Sequence, residues 1–168
     1  MRDTLKQALC FVAISCGVSL LNVLLNPSAL AINTNYAPVA SDVVLEHEFN
    51  NIDHQELSSY IDILMDEQPY VIVLDARSKE DYELAHIPGA HLADHYHQQQ
   101  YVEPLAEAIR MVPIVVVYCK GGDCEDSIFL ARDLVYKHAV PLESLYIYEG
   151  GMNDWNTNGS PVQSGGVR

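Results

Sequence analysis

The chain carries two alternating hydrophobic periods. Val71-Ile72-Val73-Leu74 and Ile114-Val115-Val116-Val117-Tyr118 are unbroken apolar runs rich in β-branched residues, and Leu145-Tyr146-Ile147 is a shorter third. Runs of this length without polar alternation predict strands covered on both faces, as in a parallel sheet. Between them the apolar residues recur at helical spacing. Leu57, Ile61 and Leu64 line one face of a helix from Asp53 to about Met65, opened by Asp53 and Glu56 at capping-box spacing. A short helix is predicted from Lys79 to Leu84, followed by a Pro88-Gly89 turn. Another runs from about Tyr101 to Arg110. Ile128, Ala131, Leu134 and Val135 form a further helical stripe, and Gly150-Gly151 leads into a last short helix holding Trp155. Strands alternating with helices predict an α/β domain with a mainly parallel sheet.

The first 31 residues follow a different pattern. Arg2 and Lys6 precede Ala8 to Leu25, a stretch without charge, and Asn26-Pro27-Ser28-Ala29-Leu30-Ala31 ends it. A basic start, an apolar middle and a small-x-small ending predict a signal peptide cleaved after Ala31. An uncleaved membrane anchor is the alternative, because the apolar run approaches the length needed to span a bilayer. Either way the folded part is exported, to the periplasm or another extracytoplasmic space. Residues 32–50 read as a linker, 51–163 as the domain and 164–168 as a C-terminal tail.

Composition narrows the partners. Twenty-three acidic residues against nine Lys and Arg give a formal charge of −14 over 168 residues. Nucleic acid and anionic membranes need a basic footprint, so neither is a partner; membrane contact is expected only through the N-terminal segment if it stays uncleaved. Charged residues at 19% and hydrophobic residues at 49% are enough for a packed core.

Removal of the leader takes Cys10 and Cys16 with it, leaving Cys119 and Cys124. Cys119 ends the second apolar run, Gly121 and Gly122 follow, and Cys124 opens the next helical pattern. A thiol at the C-terminal end of a buried strand, facing a helix N-terminus, sits where backbone N–H groups and the helix dipole favour a thiolate. Glycines at 121 and 122 leave the loop free to turn successive amides, from Lys120 to Cys124, toward that sulfur. Lys120 adds positive charge at the rim. Asp123, Glu125 and Asp126 crowd the same loop.

Three separated segments then coincide with one family. Leu74-Asp75-Ala76-Arg77-Ser78, continuing to Ala85-His86-Ile87-Pro88-Gly89-Ala90, resembles the first signature of rhodanese-like domains. Val117-Tyr118-Cys119-Lys120-Gly121-Gly122 resembles their active-site strand and loop. Tyr148-Glu149-Gly150-Gly151-Met152-Asn153-Asp154-Trp155 and Gly159-Ser160-Pro161-Val162 resemble their closing motif. The resemblance implies a rhodanese-like α/β fold, with a five-stranded, mainly parallel sheet flanked by helices on both faces. It implies sulfur transfer through a Cys119 persulfide, from a small sulfane-sulfur donor to a thiol or protein acceptor, with no cofactor and no metal. It also implies a structural role for Asp75, Arg77 and His86. The alternative is a non-catalytic or redox-sensing binding module that uses Cys119 and Cys124.

The chain departs from the family inside the loop. The position five after Cys119 is Cys124 and the next is Glu125, where efficient members carry a basic residue, so a phosphatase reading lacks its oxyanion clamp. A dianionic donor such as thiosulfate would have to approach Asp123, Glu125 and Asp126. Each like-charge contact at about 4 Å and an effective dielectric near 20 opposes it by about 4 kcal/mol. Those acids also suit a helix N-terminus. Cys124 has two open roles: it resolves Cys119 as a disulfide, or it is a small residue at the helix start. His86, His91, His95 and His97 with Asp94 make a histidine-rich patch without the spacing of a zinc site. Trp155 is expected in the core, and Ser127 has no evident base partner.

Overall fold

The computed structural model describes residues 6–7, 10–18, 46–61 and 70–166. The proposed cleavage point at Ala31, most of the leader and most of the linker lie outside the described residues. Residues 10–18 are helical. No helix among the described residues is long and apolar enough to cross a membrane.

The elements run β1 (Asn50–Asn51), α1 (His54–Ile61), β2 (Val71–Asp75), α2 (Lys79–Leu84), β3 (His91–Leu92), α3 (Gln98–Tyr101), α4 (Ala106–Met111), β4 (Ile114–Tyr118), α5 (Asp126–His138), β5 (Leu145–Tyr148) and α6 (Gly151–Thr157), with 3-10 turns at His95–His97, Glu103–Leu105 and Leu142–Ser144. The sheet order is β1-β5-β4-β2-β3 and every pairing is parallel. The predicted α/β architecture with its five strands is therefore the observed one. All five residues of β2 are buried, as an apolar run without alternation requires.

Strand alternation sends neighbouring residues to opposite faces. Ile72, Leu74, Val115, Val117, Cys119, Leu145 and Ile147 join one core with Ile128, Leu130, Ala131 and Leu134 of α5. Val71, Val73, Val116, Tyr118 and Tyr148 join the other with Leu57, Met152 and Trp155. Trp155 is buried and its indole N–H donates to the Pro161 carbonyl at 2.8 Å.

Three local details differ from the sequence reading. The helix expected over Tyr101 to Arg110 is broken into α3, a 3-10 turn and α4, because Pro104 has no N–H to donate and sits where a new helical turn starts. β1 and β3 are two-residue edge strands; Asn-Asn and His-Leu are too short and too polar to register as strands. The domain also starts before residue 51, since Phe49 is buried in the first core and Asn50 pairs with Tyr146. At α1, Asp53 Oδ1 accepts from the Glu56 N–H at 2.8 Å, and the predicted end at Met65 lies outside the described residues.

Candidate active site

Cys119 directly follows β4, the central strand, at the carboxyl edge of the sheet, where open parallel sheets place their ligand sites. One rung of the sheet sits just beneath it: Leu92, Asp75, Tyr118 and Tyr148 are consecutive partners across β3, β2, β4 and β5. The next residue along β4 turns to the α5 face, so Cys119 is buried against the first core while Tyr118 points the other way.

Asp75 is fully buried and spends both oxygens. Oδ1 accepts from the Arg77 backbone N–H (3.1 Å) and from Arg77 Nε (2.9 Å). Oδ2 accepts from Arg77 Nη2 and from the Tyr118 hydroxyl, both at 2.6 Å. Arg77 Nη2 also donates to the Ala85 carbonyl at 2.7 Å, and the Ile87 N–H donates to the Tyr118 hydroxyl at 3.1 Å. A buried carboxylate thus has a bidentate counter-charge and a neutral donor, the arrangement that makes burial tolerable. Burial, and after it the Asp75 charge, push the Tyr118 hydroxyl well above the ordinary tyrosine range. Tyr118 is the member of this network that the sequence reading missed. Its signal was available: it is the only polar-tipped residue of the β4 run.

His86 anchors the far end of the first motif. Its Nδ1–H donates to the Tyr82 carbonyl at 2.8 Å, its ring stacks on Tyr82 at 3.8 Å, and its backbone bridges to Gln163. Of the other histidines, His97 Nδ1 contacts Asp94 Oδ2 at 2.8 Å, and His95 lies 3.8 Å from Asp133. Among the described residues no group of three or more His, Cys, Asp or Glu is placed to hold a metal ion.

The closing motif meets the cysteine loop backbone to backbone. The Met152 N–H donates to the Cys119 carbonyl and the Asn153 N–H to the Lys120 carbonyl, each at 3.0 Å. Gly121 (φ 96°) and Gly151 (φ 54°) adopt left-handed backbone. A Cβ on Gly151 would overlap the Cys119 carbonyl and one on Gly121 the Gly150 carbonyl, so side chains are excluded on both sides of the seam.

Inside the loop the structure joins Cys119 and Cys124 in a disulfide, with Cα atoms 6.5 Å apart. The Ser127 hydroxyl, buried in the first turn of α5, donates to Cys119 Sγ at 3.7 Å. Cys124 Sγ lies 3.7 Å from Asp126 Oδ2. Among the described residues, no backbone carbonyl accepts from the amides of Gly121, Gly122, Asp123 or Cys124. Glu125 precedes α5 without capping it through its side chain. Asp123 and Glu125 are exposed, as is Lys120.

A cavity of about 430 Å³ opens over the loop. Cys124 and Lys120 are on its wall and Cys119 is not. Glu80, Asp81, Asp94 and Asp126 face it as well, against Lys120 and an Arg77 already held by Asp75. A larger hollow of about 690 Å³, between His95–Gln100 and Lys137–His138, has no residue of the cysteine loop on its wall.

The family model of the rhodanese-like domain matches residues 58–158, which takes in the Asp75–Arg77 network, the cysteine loop and the glycine seam. The chain belongs to the rhodanese-like domain family. Among solved structures it is similar to the BH2092 protein of Bacillus halodurans, at 22% identity and a TM-score of 0.55 over 68% of this chain and 77% of that one. It is similar to the rhodanese-like domain of the Anabaena Alr3790 protein, at 20% identity and a TM-score of 0.52 over 70% and 80%. A thiosulfate sulfurtransferase of Pseudomonas aeruginosa matches at 19% identity and a TM-score of 0.52, over 71% of this chain and 21% of that one. These are likenesses of fold. No curated protein matches the sequence.

Proposed function

We propose that the protein is an exported sulfurtransferase in which Cys119, as a thiolate, attacks a sulfane sulfur, holds it as a persulfide and passes it to a thiol acceptor. The observation that carries this reading is the placement of Cys119: at the carboxyl end of the central strand, beneath a loop whose amides have no carbonyl partner among the described residues, and against the first turn of a 13-residue helix. A helix N-terminus stabilises a sulfur anion without a counter-charge. Ser127 adds a hydroxyl donor to the same sulfur.

The charge on the mouth selects the donor. Four carboxylates against Lys120, an Arg77 engaged by Asp75 and a His97 engaged by Asp94 oppose a dianion and leave a neutral or singly charged organic persulfide as the better substrate. The test is sulfur transfer to cyanide by the full chain, with a singly charged organic persulfide and thiosulfate as alternative donors. Thiocyanate is expected from the persulfide at a clearly higher kcat/KM, with one extra sulfur atom on Cys119 by peptide mass and none in Cys119→Ser.

The paired cysteines favour one other reading, a redox-sensing or binding module without turnover. Absence of thiocyanate with both donors, together with absence of persulfide on Cys119, would establish that reading instead. Export is tested separately by sequencing the N-terminus of the protein recovered from its native host, with a new terminus at Ile32 expected.

A further inference from the structure

We propose that the loop reduces the sulfur it captures, with Cys124 as an internal acceptor that releases it as hydrosulfide. This rests on the reading of Cys119 as the sulfane acceptor and adds an activity that transfer alone does not have. Three observations support it. The two sulfurs already form one bond within a single loop, with Cα atoms 6.5 Å apart. Cys124 is on the wall of the mouth cavity while Cys119 is buried behind it. Their surroundings also differ: Cys119 Sγ receives the Ser127 hydroxyl, and Cys124 Sγ has the Asp126 carboxylate within reach of a thiol proton.

The chemistry balances as follows. Cys119 thiolate takes the outer sulfur of a persulfide R–S–SH, and R–SH leaves. Cys124 passes its proton to the Asp126 carboxylate and attacks Cys119 Sγ; the bond between Sγ and the outer sulfur breaks, and that sulfur departs with the electron pair as hydrosulfide. The new bond is the Cys119–Cys124 disulfide. The two cysteines are oxidised by two electrons and the sulfane sulfur is reduced by two. An external dithiol, entering from the cavity, reaches Cys124 and expels Cys119 as a thiolate, the form that Ser127 and the α5 N-terminus favour. Its second thiol then frees Cys124. The sum is R–S–SH plus dithiol giving R–SH, hydrogen sulfide and the oxidised dithiol. Because Cys124 is held in the same loop, its attack outruns that of thiols arriving from solution.

The test uses the reduced full-length protein, freed of reductant under anaerobic conditions and given one equivalent of glutathione persulfide. The wild type is expected to release one sulfide per chain and to end two hydrogens lighter, with the loss mapped to a Cys119–Cys124 peptide. Dithiothreitol should then make sulfide release catalytic. Cys124→Ser should instead keep the extra sulfur on Cys119 and release sulfide at least about tenfold more slowly. A wild type that holds the extra sulfur without releasing sulfide, or a Cys124→Ser protein that releases it equally fast, overturns the proposal and leaves sulfur transfer standing. No uptake of sulfur by either protein overturns both. Should Cys124→Ser fail to fold by circular dichroism, the wild-type stoichiometry and peptide map decide alone.

Discussion

On the β2 side of the cysteine loop the scaffold is made of side chains, and on the β5 side it is made of backbone. Asp75, Arg77 and Tyr118 hold the first side through a closed set of charged and hydroxyl hydrogen bonds. Gly150, Gly151, Met152 and Asn153 hold the second through two amide–carbonyl bonds and a seam too tight for a Cβ. The two devices fail differently. A charge network fails when one member is lost, because the remaining charge is stranded away from water. A backbone seam fails when anything is added.

The largest effect should come from stranding the charge. Asp75→Asn leaves the Arg77 guanidinium without its counter-charge and should lower stability by about 3–5 kcal/mol in urea unfolding. Adding Arg77→Met should recover a substantial part of that loss. No recovery would mean that the pair acts through shape and not charge, and the contrast between the two sides would be wrong.

Next comes the seam. Gly151→Ala combines left-handed backbone with overlap on the Cys119 carbonyl and should cost about 2–3 kcal/mol, with a larger proportional loss of sulfur transfer as the loop is displaced. Gly122→Ala is the control. Its φ is 70° but no atom lies within 4 Å of the added Cβ, so only the backbone cost of about 1 kcal/mol applies. Equal losses at 122 and 151 would remove packing from the explanation.

Tyr118 tests the side-chain network by pH. Tyr118→Phe strands the Ile87 N–H, removes one of the two donors to Asp75 Oδ2 and should cost about 1–3 kcal/mol near neutrality. Because the folded-state hydroxyl titrates above its unfolded value of 10.0, its contribution is complete below that pH and is lost as pH rises through the higher folded value. The gap between wild type and Tyr118→Phe should therefore narrow in urea titrations between pH 9 and pH 11, values that bracket the unfolded tyrosine at about 10.

The smallest expected effect lies on the rim. Asp126→Asn removes one carboxylate from the mouth and should raise kcat/KM for thiosulfate several-fold. Added salt should reduce the difference between the two proteins.

Much of this organisation was legible in the chain. β2, β4 and β5 are apolar runs whose both-face burial shows as an absence of alternation, and the motif around Cys119 is continuous in sequence. The edge strands were not legible, because two residues carry no period and are strands only through their neighbours. The break at Pro104 was visible as a residue and was outweighed by the apolar spacing around it. Tyr118 was visible as the polar tip of the β4 run, but its role depends on register. Only the pairing of Asp75 with Tyr118 brings its hydroxyl to the carboxylate.

Sequence by itself determined the fold class, the order of the three motifs and the place of the two-cysteine loop after the central strand, because periodicity and contiguous motifs are local properties of a chain. Tertiary structure decided which sulfur faces the mouth and which lies behind it, what neutralises the buried Asp75, and why the closing glycines are needed. Those depend on groups up to 43 residues apart, as in Asp75 and Tyr118, meeting at distances of hydrogen bonds. The register of a parallel sheet sets such distances, and no local pattern records it.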